Sequence, residues 1–358
     1  MKSEKNLFDQ QGIERVLIRA VNWLGDAVMT TPAIGAIRAS FHSAHITLLA
    51  TPLVAELFSP HDWIDEVMIY DKNGRHSGLA GRLKIARELR TKSFDMAILL
   101  QNAFDAALIA WLARIPIRMG YRTDCRGFLL THGCPLSGET KWLHHVEYYL
   151  KMLENFAITV PKKRLFLVVT DEEERAMTLT LRDAGIAAGD FLIGINPGAT
   201  YGAAKRWYPE RFAAVADELR RQWGGKVVIV GSPAEKEIAD EIAASMEGAC
   251  LNLAGQTSVR ELMALTKRCN FFITNDSGTM HIAAAFGVPM IAIFGPTDQT
   301  TTSPFSDQAV VVRQDVECAP CLLRECPTDH LCMVTVTVKE VVEKATKLRL
   351  RLEQRRDA

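Results

Sequence analysis

The sequence predicts an α/β protein made of two parallel-sheet domains in series, on three observations. The chain has 358 residues, long for a single core and suited to two domains of ordinary size. Short β-branched apolar runs alternate with amphipathic helical patterns, which is how βα repeats around a parallel sheet read. The alternation occurs twice, before and after a stretch near residue 160 that carries a proline and a basic pair.

In the first series, strands are predicted at VLIRA (16–20), HITLLAT (45–51), EVMIYD (66–71), DMAILLQ (95–101) and IRMGY (117–121). Helical patterns separate them, such as GRLKIARELRTK (81–92) and DAALIAWLAR (105–114). A helical segment, KWLHHVEYYLKMLENF (141–156), precedes AITVPKKR (157–164), which reads as a linker around Pro161. The domains are therefore placed at 1–160 and 161–358. The second series predicts strands at FLIGINPG (191–198), KVVIVG (226–231), NFFITND (270–276) and MIAIFG (290–295). The chain closes on VKEVVEKATKLRLRLEQRRD (338–357), a long helix whose seven basic and four acidic residues suit a solvated helix complementing its own C-terminal dipole.

Composition narrows the function classes. Lys plus Arg and Asp plus Glu both number 42, so the balanced charge argues against a general polyanion-coating protein and against nucleic acid as a partner. The first fourteen residues lack the apolar core of a secretory signal, and no stretch offers eighteen unbroken apolar residues. A cytoplasmic location is expected, at most peripheral to a membrane. Eight cysteines in that compartment are expected as thiols or metal ligands instead of disulfides.

In open α/β sheets, ligands gather beyond the carboxyl ends of strands, and two such sheets suggest a cleft between them. Each motif that can carry chemistry falls at such an end. Asp26 follows the first strand in NWLGDAVMTTPAIGAIRASF, where it fits either a helix cap or a catalytic carboxylate. NDSGTMHIAAAFG places Ser277, Gly278 and Thr279 at a helix start, where small side chains let backbone N–H groups approach a phosphate; a plain capped turn fits the same residues. His281, one turn on, can reach the same anion or pack in the core. NPGATYGAAKRWYPERF ends a Gly and Thr loop in Lys205 and Arg206, able to neutralise a diphosphate or simply to face solvent. In GSPAEKE, Glu235 suits either a ribose hydroxyl or an ordinary helix first turn. Neither G-x-G-x-x-G after the first strand nor G-x-x-x-x-G-K-[ST] is present, so a standard dinucleotide dehydrogenase and a P-loop nucleotidase are disfavoured. No clustered acidic metal site is apparent, so Lys205 and helix N-termini must offset a bound diphosphate.

These motifs carry a resemblance. GDAVMTTPAIGAIR, NPGATYGAAKRWYPERFAAVADEL, NDSGTMHIAAAFGVPMIAIFGPTD and QNAFDAALIAWLARIPIRMGYRTDCRGFLL are similar to the ADP-heptose glycosyltransferases of the lipopolysaccharide core, over roughly 14–345. The resemblance implies the GT-B fold, two Rossmann-like parallel-sheet domains facing a cleft, with the acceptor on the N-terminal domain and the nucleotide sugar on the C-terminal one. It implies inverting transfer of heptose from ADP-L-glycero-D-manno-heptose to a lipid-linked inner-core acceptor, heptosyl-Kdo2-lipid A. Asp26 takes the position of the catalytic base, Lys205 that of the lysine on the donor phosphates, and Glu235 that of the acid on the ribose. Asp276, Ser277, Gly278, Thr279 and His281 match the donor motif. Thr200 keeps one of two hydroxyl side chains frequent in that loop, whereas Ala199 lacks the other. No cofactor is required for catalysis on this reading, and contact with the inner membrane follows from the acceptor.

An anionic acceptor calls for basic groups. Arg114, Arg118, Arg122 and Arg126 recur every fourth residue, but Pro116 and Gly120 argue against one helical face and spread them over a strand end and loop. Arg118 and Arg122 are the acceptor-binding candidates, although each arginine singly also reads as a solvated charge. CAPCLLRECPTDHLC sets Cys318, Cys321, Cys326 and Cys332 at C-x2-C-x4-C-x5-C, with His330 between them. A structural Zn²⁺ site, an Fe–S cluster and plain thiols all fit, at a place separate from the catalytic motifs. Two alternatives to the leading function stand. One is transfer of a first or third heptose, or of another nucleotide sugar, on the same scaffold; the other is a nucleotide-responsive metal or redox sensor.

Overall fold

The computed structural model describes residues 12–160 and 162–357. Most of the amino-terminal stretch read for an export signal, and Pro161 of the linker, lie outside the described residues. The first sheet holds six parallel strands: β1 Arg15–Arg19, β2 His45–Ala50, β3 Glu66–Ile69, β4 Met96–Leu99, β5 Ile117–Tyr121 and β6 His132–Cys134. Their order is β3-β2-β1-β4-β5-β6, with Val16 opposite Ile46 on one side and Met96 on the other. The second sheet holds β7 Leu192–Asn196, β8 Lys226–Ile229, β9 Cys250–Asn252, β10 Phe271–Asn275, β11 Met290–Ile293 and β12 Ala309–Val312, in the order β12-β11-β10-β7-β8-β9. Counted from β7, that is the same doubly wound order. Each sheet therefore reverses direction once, between β1 and β4 and between β7 and β10, and such switch points are where open α/β sheets take ligands.

The central strands are apolar on both faces because helices cover both sides of a parallel sheet. RVLIR, MAIL, LIGIN and FFITN are buried almost throughout. Every strand expected from sequence is present. Three more, β6, β9 and β12, close sheet edges and are only three or four residues long.

Three expectations need correction. The 141–156 segment is not one helix: a 3₁₀ turn at Thr140–Trp142 precedes an extended Leu143 and His144, and the α-helix runs His145–Glu154, with the His144 ring accepting from Val146 N–H. The chain divides into compact units between Val168 and Val169, eight residues past the expected boundary. Phe166 explains the shift, since its ring stacks on Trp63 at 4.5 Å and its N–H donates to the Thr31 hydroxyl at 3.1 Å, tying this stretch to the first unit. The closing helix Val338–Asp357 is not merely solvated. Val341, Ala345 and Leu348, spaced along one face, are buried in the second unit's core.

Candidate active site

In the first unit the connection after β1 enters a six-residue helix, Leu24–Met29. Asp26 is its third residue, whereas Trp23 occupies the cap position and no side chain caps the helix. The capping reading of Asp26 is thus set aside: its Oδ1 lies 3.1 Å from Nδ1 of His145, at the start of the helix His145–Glu154. Both side chains keep about a third of their surface in solvent, so the pair is reachable. Behind them Tyr149 is buried, and burial first, then the Asp26 charge, holds its phenol well above the ordinary pKa. The sequence reading missed His145, which lies 119 positions from Asp26; the HH doublet at a helix start was the available signal.

The expected arginines fare differently. Arg118 donates from Nε to the Leu129 carbonyl at 2.7 Å and from Nη1 to the Ile115 carbonyl, so its fork is used to fix the loop after β5. Arg122 is exposed, with its stem lying beside Gly127 and Gly133. Arg126 is not a solvated charge. It is wholly buried and donates to the carbonyls of Tyr121 and Gln101 and to Asn102 Oδ1, joining the β4 and β5 loops.

The second unit collects most donor candidates at its switch point. The loop after β7 ends in the 3₁₀ turn Ala203–Lys205, and Lys205 Nζ lies 2.6 Å from Asp276 Oδ2, beyond β10. Asp276 is buried and Lys205 partly buried, at 5% and 12% side-chain exposure. The Thr297 hydroxyl donates to the same carboxylate oxygen at 2.6 Å, and the Tyr201 ring lies 4.8 Å from the ammonium. Asn275, fully buried, fastens the loops together: its Oδ1 accepts from Trp207 N–H and its Nδ2 donates to the Pro197 carbonyl.

Ser277 is the N-cap of the helix Gly278–Ala285, accepting from Met280 N–H while its hydroxyl donates to Asn196 Oδ1 at 2.9 Å. Its side chain is therefore structural, and the anion-binding capacity of this turn rests on the first-turn backbone N–H groups and the helix dipole. Thr279 and His281 are buried in that helix. Glu235 is the third residue of a capping box, its Oε2 accepting from Ser232 N–H at 2.7 Å. Its carboxyl group lies over Gly198, where a Cβ would come within 2.0 Å of the carboxyl carbon, so the close approach requires glycine. Thr200 is exposed in the intervening loop.

The four-cysteine segment is not separate from the donor loop. The Tyr201 hydroxyl donates to the Leu322 carbonyl at 2.7 Å, Ala204 N–H to the Arg324 carbonyl at 3.0 Å, and His330 Nε2 lies 2.8 Å from the Ala204 carbonyl. A Cβ on Gly202 would meet the Arg324 backbone at 2.2 Å. Residues 322–330 thus strap the turn that presents Lys205. Cys318 and Cys321 are exposed, whereas Cys332 is buried with its thiol pushed up to about 11, chiefly by burial and further by the other three thiols. Among the described residues no group of three or more His, Cys, Asp or Glu is arranged to hold a metal ion.

Comparison of the whole chain with known proteins points to one family. The model of glycosyltransferase family 9 (heptosyltransferase) matches residues 82–332. Lipopolysaccharide heptosyltransferase 2 of Salmonella typhimurium is 32% identical over 310 residues, 84% of this chain and 88% of that protein. Among solved structures, a family 9 glycosyl transferase from Veillonella parvula superposes with a TM-score of 0.86 at 28% identity, covering 94% of this chain and 98% of its own. The Escherichia coli ADP-heptose lipopolysaccharide heptosyltransferase II superposes with a TM-score of 0.80 at 28% identity, covering 95% and 99%. The fold is of the GT-B type, with a Rossmann-like sheet in each unit.

Proposed function

We propose, from the premise that the chain belongs to glycosyltransferase family 9, the heptosyltransferases, that it transfers heptose from ADP-heptose to the lipopolysaccharide inner core. The acceptor on this reading is heptosyl-Kdo2-lipid A, in keeping with relatives named heptosyltransferase 2. The observation that carries the reading is the second unit's switch point. There a partly buried lysine, held by Asp276, sits in the loop beside a helix N-terminus whose first-turn N–H groups include those of Gly278 and Thr279. The oxygens of a nucleoside diphosphate suit such a site, accepting from the lysine and from the backbone donors of the helix start.

The donor's diphosphate is bound by Lys205 and the N–H groups of Gly278 and Thr279, and its ribose hydroxyls by the oxygen of Glu235 not used in the capping box. Asp276 holds the lysine in place between phosphate and carboxylate, and Thr297 keeps the acid oriented. On the acceptor side Asp26 accepts the proton of the attacking hydroxyl, steadied by His145. The hydroxyl oxygen forms the new bond to the anomeric carbon as the carbon–phosphate oxygen bond breaks, ADP leaves from the opposite face, and configuration inverts. General-base assistance of this kind contributes roughly 10²- to 10⁴-fold. Lys205 and the helix dipole stabilise the leaving diphosphate, so no divalent cation is required.

Peripheral contact with the inner membrane at its cytoplasmic face belongs to the same reading. Among the described residues no helix is long and apolar enough to cross a membrane. Trp111 and Phe128, 49% and 77% exposed, lie in the first unit, and Trp111 shares an open depression with Arg90, Arg114 and Arg118, a combination suited to an anionic lipid surface.

The test is incubation of the purified protein with ADP-heptose and core acceptors ending in Kdo, one heptose or two heptoses, with EDTA present, followed by mass spectrometry. One heptose added to the singly heptosylated acceptor is expected. Addition only to another acceptor moves the assignment to the first or third heptose, and no mass gain on any of them removes the reading.

A further inference from the structure

A cavity of about 310 Å³ opens in the first unit at the carboxyl ends of its strands. Arg19 closes β1, Tyr70 follows β3 and Gln101 follows β4, so the cavity straddles the β1/β4 switch point. Asn22, four residues before Asp26 in the same connection, lines it too. The volume is at the small end of ligand pockets, the size for one sugar ring.

Its electrostatics are unfinished. Arg19 is 2% exposed, and among the described residues its Nη1 donates to the carbonyls of Ala20 at 2.6 Å and Leu49 at 3.1 Å and its Nη2 to Asn22 Oδ1 at 3.2 Å. These acceptors are neutral, and Arg19 Nε has no partner among the described residues. Burial lowers the guanidinium to about 10, which leaves it charged at neutral pH. The lining carboxylate, Asp105, is already engaged by Arg82 and by the Tyr70 hydroxyl at 2.8 Å. Lys72 adds a second cation from an exposed position, and Gln101 adds a buried Oε1, likewise without a partner among the described residues. A buried cation whose hydrogen-bond partners among the described residues are neutral, at the wall of a cavity, is costly unless an anion completes it.

We infer that this cavity binds an oxyanion carried on a sugar, a carboxylate or a phosphate ester. Arg19 and Lys72 meet the anion, and Gln101 and Asn22 meet ring hydroxyls. The inference deepens the proposed function, because it makes the cavity the acceptor's recognition pocket on the connection that carries Asp26. It also gives Arg19 a reason to be buried as a charge.

The test uses the full chain and calorimetric titration with 3-deoxy-D-manno-octulosonic acid, with mannose 6-phosphate, and with neutral methyl mannoside. Saturable binding of one or both anionic sugars, and none of the neutral one, is expected; the tighter of the two identifies the oxyanion. Lys72→Met should weaken that binding about tenfold, the loss expected for a charge-assisted contact. Lys84→Met, at an exposed position outside the cavity lining, should leave it unchanged. ADP affinity should hold in both. Arg19→Gln is the stronger variant; because it can disturb the fold, Lys72→Met carries the decision. Equal binding of neutral and anionic sugars, no binding of any, or wild-type affinity in Lys72→Met overturns the inference. Lys72-dependent binding without heptosyl transfer would spare the cavity and remove the proposed function. Transfer with an unchanged acceptor KM in Lys72→Met would do the reverse.

Discussion

Asp26 and His145 form the smallest unit on which the proposed chemistry depends. A carboxylate at 3.1 Å from an imidazole, both partly solvated, is oriented without being neutralised by a buried counter-charge. Asp26→Asn keeps the shape and removes the base. Turnover should fall by roughly 10²-fold or more, while ADP, bound by the second unit, keeps its affinity within a few-fold. Single-turnover heptosyl transfer alongside ADP titration checks this, and intact turnover would return Asp26 to a structural role. On the proposed reading His145 acts through Asp26, so His145→Gln should lower kcat less than Asp26→Asn does, with ADP affinity unchanged. At this scale the sequence was informative about placement beyond a strand end, as for Asp26, Lys205 and Asp276. It was silent on His145, Asn275 and Thr297, whose roles come from contacts made across the fold.

Two element-scale contacts decide how the donor side holds its shape. The strap 322–330 fixes the turn before Lys205 through hydrogen bonds from Ala204 N–H and the Tyr201 hydroxyl, and at Gly202 it lies where a Cβ would meet the Arg324 backbone. Gly202→Val must push Arg324 away, so ADP affinity should fall about tenfold or more while Asp26 and its helix are untouched; calorimetry with ADP measures it. The sequence placed the cysteine segment outside the catalytic motifs because spacing along the chain does not reveal which loop it crosses. The second contact joins helices. Glu173, third residue of the helix Asp171–Asp183, pairs with Arg260 at 2.6 Å on the helix Val259–Arg268. Hydrogen bonding to Arg260 leads the causes that hold Glu173 at about 2, below the usual carboxylate value of about 4.3. A depressed folded-state pKa contributes stability that is fully present above the unfolded value and disappears as pH falls toward 2. Arg260→Met should therefore cost about 1–2 kcal/mol at pH 7, solvent screening included, and the gap from wild type should close between pH about 4 and 2. Urea denaturation at several pH values reads both.

For the whole molecule, the doubled βα alternation was legible because central parallel strands are apolar runs bounded by turn residues. The edge strands HGC, CLN and AVVV escaped notice: at three or four residues, their pairing is set by the neighbouring strand more than by their own pattern. The unit boundary escaped for a similar reason, since Phe166 follows the proline but packs back on Trp63. What the repeat does imply is independent cores. The cluster around Leu17, Ile85 and Leu99 lies wholly in the first unit, and that around Trp207, Phe212 and Val341 wholly in the second. Units with separate cores can unfold as separate cooperative steps, and a ligand stabilises only the step that destroys its site. ADP is assigned to groups of the second unit alone, so denaturation followed by hydrogen exchange should show protection increasing for the backbone of 203–206 and 277–281 and for β7 and β10. The amides of β1 and β4 should be unchanged. At ADP one hundred times its dissociation constant the shift should be about 2.7 kcal/mol in that step. Equal stabilisation of both sheets would mean that the nucleotide is gripped by residues of the first unit as well, and the assignment of the donor to Lys205, Glu235 and the Ser277 turn would then be incomplete.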